Sequence, residues 1–197
     1  MDIALKTDTD PKRARILEGA MKVFLTYGYA RVTMEDIARA AEISRPALYL
    51  LFKNKAEIYR AIGAALLDNS AESAEAALAK DGPFVERMLE AIDRSLISMM
   101  KSIMDSPHGA EILDRKNTLA NDLASVWRSR LEKTFRDAIL AEAKRNKVDL
   151  KSRGLTAEAM AELLLDGLEG MKSRVTEAGK QREGARRLVK VIALALA

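Results

Sequence analysis

Apolar residues recur every three or four positions along most of the chain, and this spacing predicts helices from end to end. The first helix follows Pro11, buries Ile16, Ala20 and Phe24, and ends at Gly28, a residue typical of the position just after a helix. Further helices are predicted over residues 56–78, 84–104, 110–115, 119–146 and 156–175, with a last one after a loop at 177–179. Because no segment alternates as a strand would, the predicted fold class is all-α.

Residues 33–52 predict two short helices joined by a tight turn. Thr33 followed by Asp36 resembles a capping box, and Ser44 precedes Arg45 and Pro46 as a cap precedes a first turn. Apolar residues would pack the two helices together: Ile37, Ala38 and Ala41 on the first, and Leu48, Leu51 and Phe52 on the second. This layout is typical of a helix-turn-helix that reads DNA.

The second short helix would leave a basic and aromatic face exposed. Arg45 and Tyr49 are four residues apart and share that face, and Lys53 and Lys55 follow the helix. Cations and a phenol suit phosphate contact, while small side chains permit close approach to base edges and thymine methyl groups: here Pro46 and Ala47. The alternative is an ordinary helical hairpin whose polar face is solvated.

From about Arg15 to Ala61 the chain resembles the TetR family of bacterial transcriptional regulators. The resemblance rests on spaced residues: Ile16-Leu17-Glu18-Gly19-Ala20, Phe24, Gly28-Tyr29, Thr33, Asp36-Ile37-Ala38, Ser44, Leu48-Tyr49, Phe52 and Lys55. It implies an N-terminal three-helix DNA-binding domain over residues 1–55, ordered from about residue 11. A larger helical domain for ligand binding and dimerisation would occupy residues 56–197. Leu51 departs from the pattern, because many members carry a polar or aromatic residue there.

The resemblance also implies a role for individual residues at a DNA interface. Thr33 would cap its helix and touch phosphate, residues 45–49 would lie in the major groove, and Lys53 would bind phosphate together with Tyr49. Lys55 would begin the next helix at the DNA backbone. The predicted DNA-binding residues are therefore Thr33, Ser44, Arg45, Pro46, Ala47, Tyr49, Lys53 and Lys55.

Composition and charge exclude several classes of function. The chain of 197 residues is 48% hydrophobic and has no cysteine, which excludes disulfides, thiolate catalysis and zinc–thiolate sites. Residues 1–60 contain eleven Lys and Arg against eight Asp and Glu, a modest excess that fits a small phosphate-contacting surface. No signal peptide or membrane-spanning run is found, so we expect a cytoplasmic protein.

The last two predicted helices carry a candidate dimer interface. Gly167 and Gly170 each cost about 1 kcal/mol relative to Ala inside a helix, which favours a place where another helix approaches closely. The family resemblance implies a four-helix bundle with a second subunit, and the predicted interface contains Leu164, Gly167, Leu168, Met171, Leu188 and Ile192. The alternative is a tightly packed contact within one chain.

A methionine-rich stripe and two aromatic residues form a candidate ligand pocket. Flexible thioethers and aromatic rings suit an apolar or aromatic small molecule, and the predicted lining is Met88, Ile92, Met99, Met100, Trp127 and Phe135. The alternative is plain hydrophobic core. His108 is the only histidine, so no metal site is predicted, no cofactor is expected and no catalytic constellation is found.

We therefore predict a homodimeric, ligand-responsive transcriptional regulator, not an enzyme, that binds a pseudo-palindromic double-stranded operator. We expect a repressor, released when a small-molecule effector favours a conformer with a different spacing of the two reading helices. A first alternative is a protein of the same fold that answers to a protein partner or acts constitutively. A second is a helical enzyme that contains a helix-turn-helix.

Overall fold

The computed structural model describes residues 10–112 and 121–197. Within these ranges every regular element is helical and no strand occurs, which confirms the all-α prediction. The α-helices are α1 Pro11–Tyr27, α2 Met34–Ala40, α3 Arg45–Leu51, α4 Lys55–Leu78, α5 Phe84–Ile92, α6 Ser98–Met104, α7 Gly109–Ile112, α8 Asn121–Arg145, α9 Ala157–Arg174 and α10 Ala178–Ala195. A π-helical turn, Asp93–Ile97, joins α5 to α6, and a 3₁₀ turn, Lys151–Arg153, precedes α9.

Most helix boundaries fall within two residues of their predicted positions, with two differences. The single helix predicted over 84–104 is interrupted by the π-helical turn, inside which the Ser95 hydroxyl donates to the carbonyl of Ala91 at 2.7 Å. The loop predicted at 177–179 lies two residues earlier, at 175–177, because α10 already begins at Ala178 and its first turn closes when the amide of Gln181 donates to the carbonyl of Glu177. Parts of two predicted helices, residues 113–115 and 119–120, lie outside the described residues.

The chain forms two compact units. Unit 1 comprises residues up to Asn69 together with Met100–Ser125, and unit 2 comprises Ser70–Met99 and Val126–Ala197. Unit 1 extends past residue 55, the predicted end of the DNA-binding domain, along the first part of α4. The assignment of separate functions to residues 1–55 and 56–197 stays a prediction.

The core of unit 1 is built on α1. Ile16 and Phe24 are fully buried, as are Ile37 of α2 and Leu48 of α3. At Gly19 an added Cβ would lie 2.8 Å from the backbone nitrogen of Ala41, so α1 crosses the end of α2 at a distance that only glycine permits. An aromatic cluster of Phe24, Tyr29 and Tyr59, with centroid separations of 5.0–6.1 Å, ties α1 to α4.

Unit 2 has a second core, formed by α5, α8, α9 and α10. Met88, Phe135 and Val189 are among its fully buried side chains. One chain of polar groups runs through this apolar interior: the indole of Trp127 donates to the Ser70 hydroxyl at 2.9 Å, and that hydroxyl donates to the carbonyl of Ser95 at 2.7 Å. Each of these three groups therefore has a partner, which keeps its desolvation cost low.

The candidate dimer residues lie inside the protomer. Their side chains hold α9 against α10: Leu164, Leu168, Met171 and Ile192 are buried, and Leu188 is partly buried against the same core. A Cβ at Gly167 would lie 3.0 Å from both Leu188 methyl carbons, so this glycine serves the close contact within one chain. The four buried side chains are covered within one chain, whereas Gly167 and Leu188 stay partly exposed, so their place at a dimer interface remains a prediction.

Other apolar side chains of the same two helices are exposed. Leu163 on α9 and Val191 and Leu194 on α10 each expose about two thirds of their surface. Gly170 is exposed on α9, and a Cβ added there would meet no atom within 4 Å. These exposed residues therefore offer a second copy more apolar surface than the buried members of the predicted interface do.

Candidate nucleic-acid interface

A capping box fixes the start of α2. The amide of Asp36 donates to the Thr33 hydroxyl oxygen at 3.2 Å, and the amide of Thr33 donates to the Asp36 carboxylate at 2.9 Å. The Thr33 hydroxyl also donates to that carboxylate at 2.6 Å, and these bonds lower the pKa of Asp36. The predicted cap is confirmed, and its oxygen atoms are engaged within the helix.

The turn between α2 and α3 is held from α1. Glu42 has a φ of 55°, in the left-handed region that favours glycine. The guanidinium of Arg15 donates from Nη2 to the carbonyls of Ala41 at 3.0 Å and Glu42 at 3.2 Å. A side chain of α1 therefore stabilises a strained turn and with it the angle between α2 and α3.

Ser44 caps α3 as predicted, because its hydroxyl oxygen accepts from the amide of Ala47 at 3.3 Å. Pro46 lies in the first turn, where its missing N–H breaks no helical hydrogen bond. Leu48 and Phe52 are fully buried and anchor the helix to unit 1, while Leu51 is only partly buried. The helix is therefore fixed along one side and open along the other.

The open side of α3 carries a cation, a phenol and an apolar side chain. The guanidinium carbon of Arg45 lies 5.6 Å from the ring centroid of Tyr49, and its Nη1 lies 3.9 Å from a carboxylate oxygen of Glu35. Tyr49 is 43% exposed, and Leu50 beside it is 87% exposed, the highest value among large apolar side chains in the described residues. Such a face can contact both phosphates and base edges.

Sequence reasoning did not select Leu50. Leu50 is four residues from Pro46 and three from Ala47. The same helical spacing that paired Arg45 with Tyr49 would therefore have placed Leu50 beside Pro46 and Ala47. The reason for the omission is that an apolar residue next to Leu51 and Phe52 resembles core. In the structure Leu50 points away from that core.

The two lysines after α3 have different surroundings. The ammonium of Lys53 is exposed and has no hydrogen-bond or ion-pair partner in residues 10–112 and 121–197. The ammonium of Lys55 donates to three carbonyls of the α1–α2 loop, those of Tyr29 at 2.6 Å, Val32 at 2.7 Å and Ala30 at 3.3 Å. Partial burial lowers the pKa of Lys55. All three donors of Lys55 are in use, so we assign it to bracing this loop rather than to phosphate contact.

The structure thus brings six of the eight predicted DNA-binding residues to the helix starts and to the open side of α3: Thr33, Ser44, Arg45, Pro46, Ala47 and Tyr49. Lys53 lies two residues beyond the end of α3 and exposes its charge. Of these eight residues, Lys55 alone directs its ammonium at backbone carbonyls of the α1–α2 loop. DNA contact by any of these side chains remains a prediction.

None of the predicted ligand-pocket residues lines either of two cavities found in the described residues, and their role in a pocket stays a prediction. Met88, Ile92 and Phe135 are fully buried in the core of unit 2, and Trp127 is partly buried against it. Met99 is a partly buried residue of unit 2, and Met100 belongs to unit 1. These two cavities lie elsewhere in the described ranges. One, of about 450 Å³, lies in unit 1 and is lined by residues including Tyr27, Arg31 and Arg39, and the other, of about 190 Å³, lies in unit 2 and is lined by residues including Phe84, Glu142 and Leu196.

The described residues show neither a candidate metal site nor a candidate membrane-spanning helix. They contain no cluster of three or more His, Asp or Glu side chains that could hold a metal ion. None of their helices combines the length and the apolar character that a membrane crossing requires.

Comparison with known proteins agrees with this geometry. Residues 16–62, which cover α1 to the first part of α4, match the family described as bacterial regulatory proteins, tetR family. The HTH-type transcriptional regulator YhgD of Bacillus subtilis (strain 168) is 33% identical over 81 residues, covering 41% of this chain and 42% of YhgD. The HTH-type transcriptional repressor ComR of Escherichia coli (strain K12) is 30% identical over 121 residues, covering 60% of this chain and 57% of ComR.

These matches span about half of the length of the two relatives. The fold comparison extends further: the TetR family transcriptional regulator PfmR from Thermus thermophilus superposes with a TM-score of 0.58 at 26% identity, covering 94% of this chain and 96% of PfmR. The likeness in fold therefore reaches both units, whereas the family match covers residues 16–62. Residues 16–62 therefore match the tetR family of bacterial regulatory proteins, and the fold over nearly the whole chain is similar to that of a TetR family regulator.

Proposed function

We propose that this protein regulates transcription by binding double-stranded DNA through α3. The observation that carries the proposal is the open side of α3, where Arg45, Tyr49 and Leu50 are exposed while Leu48 and Phe52 fix the opposite side. A helix presented in this way fits the major groove of B-DNA, which is about 12 Å wide. The match of residues 16–62 to a family of regulators, not of enzymes, supports the same function.

Charge and pre-organisation both support this function. Lys53 and Arg45 offer cations at the two ends of α3, and the phenol of Tyr49 offers a donor between them. The caps at Thr33 and Ser44 fix both helices before DNA is met, so little ordering entropy is lost on binding. Glu35 opposes part of the charge of Arg45, which limits non-specific attraction to phosphate.

Selection of bound duplexes from a randomised DNA pool, followed by gel-shift titration, tests this proposal. We expect a pseudo-palindromic sequence to be enriched, and Arg45→Ala to change the preferred bases rather than weaken binding to all sequences alike. Arg182→Ala, far along the chain on α10 in unit 2, is the matched control and should bind the selected duplex like the unchanged protein. Failure to enrich any sequence would contradict the proposal.

The protein would act as a homodimer. One short recognition helix reads too few bases for specificity, so two are needed at half-sites whose centres are about 34–36 Å apart. The exposed Leu163, Val191 and Leu194, together with the unobstructed surface at Gly170, offer an apolar face on α9 and α10 for a second copy. Burial of that face would remove these side chains from water and stabilise the dimer.

We further propose that the regulator is a repressor that an apolar or aromatic small molecule releases from its operator. The name of ComR, a repressor, supports the direction of control. The hydrophobic core of unit 2 supports the class of effector, because apolar side chains form it and few polar groups reach it, among them Trp127, Ser70 and Ser95. Those groups could exchange hydrogen bonds with one polar atom of such a molecule.

A specific observation favours a second candidate. Met88, Ile92 and Phe135 fill the predicted pocket with their own side chains, which favours control by a protein partner or constitutive binding. A screen of apolar and aromatic compounds discriminates between the two. Effectors should perturb the emission of Trp127, the only tryptophan, raise the thermal midpoint and release operator DNA at similar concentrations. Compounds that bind without releasing DNA would favour the second candidate.

A further inference from the structure

The exposure of Leu50 requires an explanation. Leucine is usually buried, yet this side chain is 87% exposed on a helix whose other large apolar residues face the core. Within α3, Leu50 is the one large aliphatic side chain that is mostly exposed. Other exposed side chains of this helix include the charged Arg45 and the phenol of Tyr49, and exposed Lys53 follows the helix.

The apolar surface here is a narrow strip. Pro46 and Leu50 are four residues apart, and Ala47 and Leu50 are three apart, so the three side chains follow one line along α3. Pro46 is exposed and Ala47 is partly exposed. Protein partners usually cover contiguous apolar patches of several hundred Å². A strip of one leucine, one proline ring and one methyl group, with cations on its flanks, does not fit that kind of partner.

The strip does fit the major groove. Of the groups that base pairs present there, the 5-methyl group of thymine is the apolar one. We infer that Leu50 is a specificity-determining residue that packs against a thymine 5-methyl group, while Arg45, Tyr49 and Lys53 supply the polar and phosphate contacts around it. This inference rests on the proposed DNA-binding function and names the base that the exposed leucine recognises.

The contact has a defined size. Removing one methyl group from a buried apolar contact costs roughly a 4-fold loss in affinity for each subunit, and on the order of 15-fold when both half-sites change. Truncation of Leu50 to alanine removes the protein side of the same contact. The two changes should not add, because each deletes a partner of one interaction.

Deoxyuridine substitution isolates this contact, since deoxyuridine pairs with adenine as thymine does but lacks the 5-methyl group. The full chain is first used to select its duplex from a randomised pool. Each thymine of the selected duplex is then replaced by deoxyuridine in both half-sites, and affinities are measured by fluorescence anisotropy at one salt concentration. We expect one position at which deoxyuridine weakens the unchanged protein roughly 15-fold.

Three variants complete the test. Leu50→Ala should bind the thymine duplex about as weakly as the unchanged protein binds the deoxyuridine duplex, and should not distinguish the two. Leu50→Met keeps an apolar side chain and should still distinguish them. Leu140→Ala, which truncates an exposed leucine of α8 in unit 2, is the matched control and should behave like the unchanged protein. Leu50→Ala should keep the thermal midpoint, because Leu50 is exposed.

The outcomes separate the inference from the function beneath it. If no duplex is selected, the proposed DNA-binding function fails. If a duplex is selected but deoxyuridine has no effect at any position, or weakens Leu50→Ala as much as the unchanged protein, thymine recognition by Leu50 is overturned while DNA binding stands. The absence of a deoxyuridine effect is also the result expected if a protein partner, rather than a thymine, covers Leu50.

Discussion

Replacement of Lys55 by methionine tests whether this lysine braces the protein or contacts DNA. Methionine keeps the length of the side chain but removes the charge and all three donors. In the folded chain those donors reach the carbonyls of Tyr29, Ala30 and Val32, and Nζ lies 4.5 Å from the ring centroid of Tyr29. Lys55→Met would leave all of these groups without their partner.

The loss can be estimated from these contacts. A hydrogen bond from a charged group contributes about 1.5–3 kcal/mol, and a cation–π contact at a partly exposed site contributes about 0.5–1 kcal/mol. Because the site is only partly buried, water can replace part of each carbonyl contact, and the partial burial that lowers the pKa of Lys55 offsets some of the gain. We expect a net destabilisation of about 2 kcal/mol, which corresponds to a fall of about 4–8 °C in the thermal midpoint.

Lys53→Met is the matched control, since it removes an exposed ammonium two residues away. Its thermal midpoint should stay unchanged, but its operator affinity should depend less on salt, with the slope reduced by about 0.9 for each subunit. Lys55→Met should show the reverse, a lower midpoint with an unchanged slope at a temperature where it is folded. Circular dichroism and anisotropy titrations at several salt concentrations measure both quantities. The reasoning is refuted if Lys55→Met keeps its midpoint and loses salt dependence.

Two further predictions concern association and acid stability. Val191→Asp should give monomers that keep their helicity, whereas Leu164→Asp should unfold the chain because it buries an unpaired carboxylate. Sedimentation measures the oligomeric state of each variant, and circular dichroism measures its helicity. A Val191→Asp protein that stays dimeric would exclude the exposed face of α9 and α10 as the dimer interface. The hydrogen bond from Arg60 lowers the pKa of Asp122 from 3.8 to about 2, so its contribution to stability should be lost as pH falls through that range. Asp122→Asn should reduce the pH dependence of the free energy of unfolding, measured with urea, over that range. An unchanged pH dependence would contradict a stabilising role for the bond between Arg60 and Asp122.

Local interactions made much of the first unit predictable. The caps at Thr33 and Ser44 connect residues three positions apart, so their chemistry can be recognised in the sequence and is found as expected. The bond between Lys55 and the α1–α2 loop joins residues 23 to 26 positions apart. No periodicity encodes such a contact, and the resemblance to a family pointed to phosphate instead.

The face of α9 was ambiguous for a different reason. Leu163 and Leu164 are adjacent and both apolar, so helical spacing does not decide which of them faces the core. In the structure Leu164 is buried in the core of unit 2, Gly167 lies against Leu188 of α10, and Leu163 is exposed. The candidate pocket was ambiguous in the same way, because a stripe of apolar side chains has the same spacing whether it surrounds a cavity or fills it.

The strained turn between α2 and α3 has an evolutionary consequence. Glu42 occupies a left-handed conformation that costs a non-glycine residue roughly 1–2 kcal/mol, and Arg15 offsets this through two carbonyl contacts. A glycine at position 42 would remove the strain and make the arginine dispensable. Across relatives of this chain, we therefore expect the two positions to covary: glycine at 42 should accompany free variation at 15, whereas any larger residue at 42 should accompany a long donor side chain at 15.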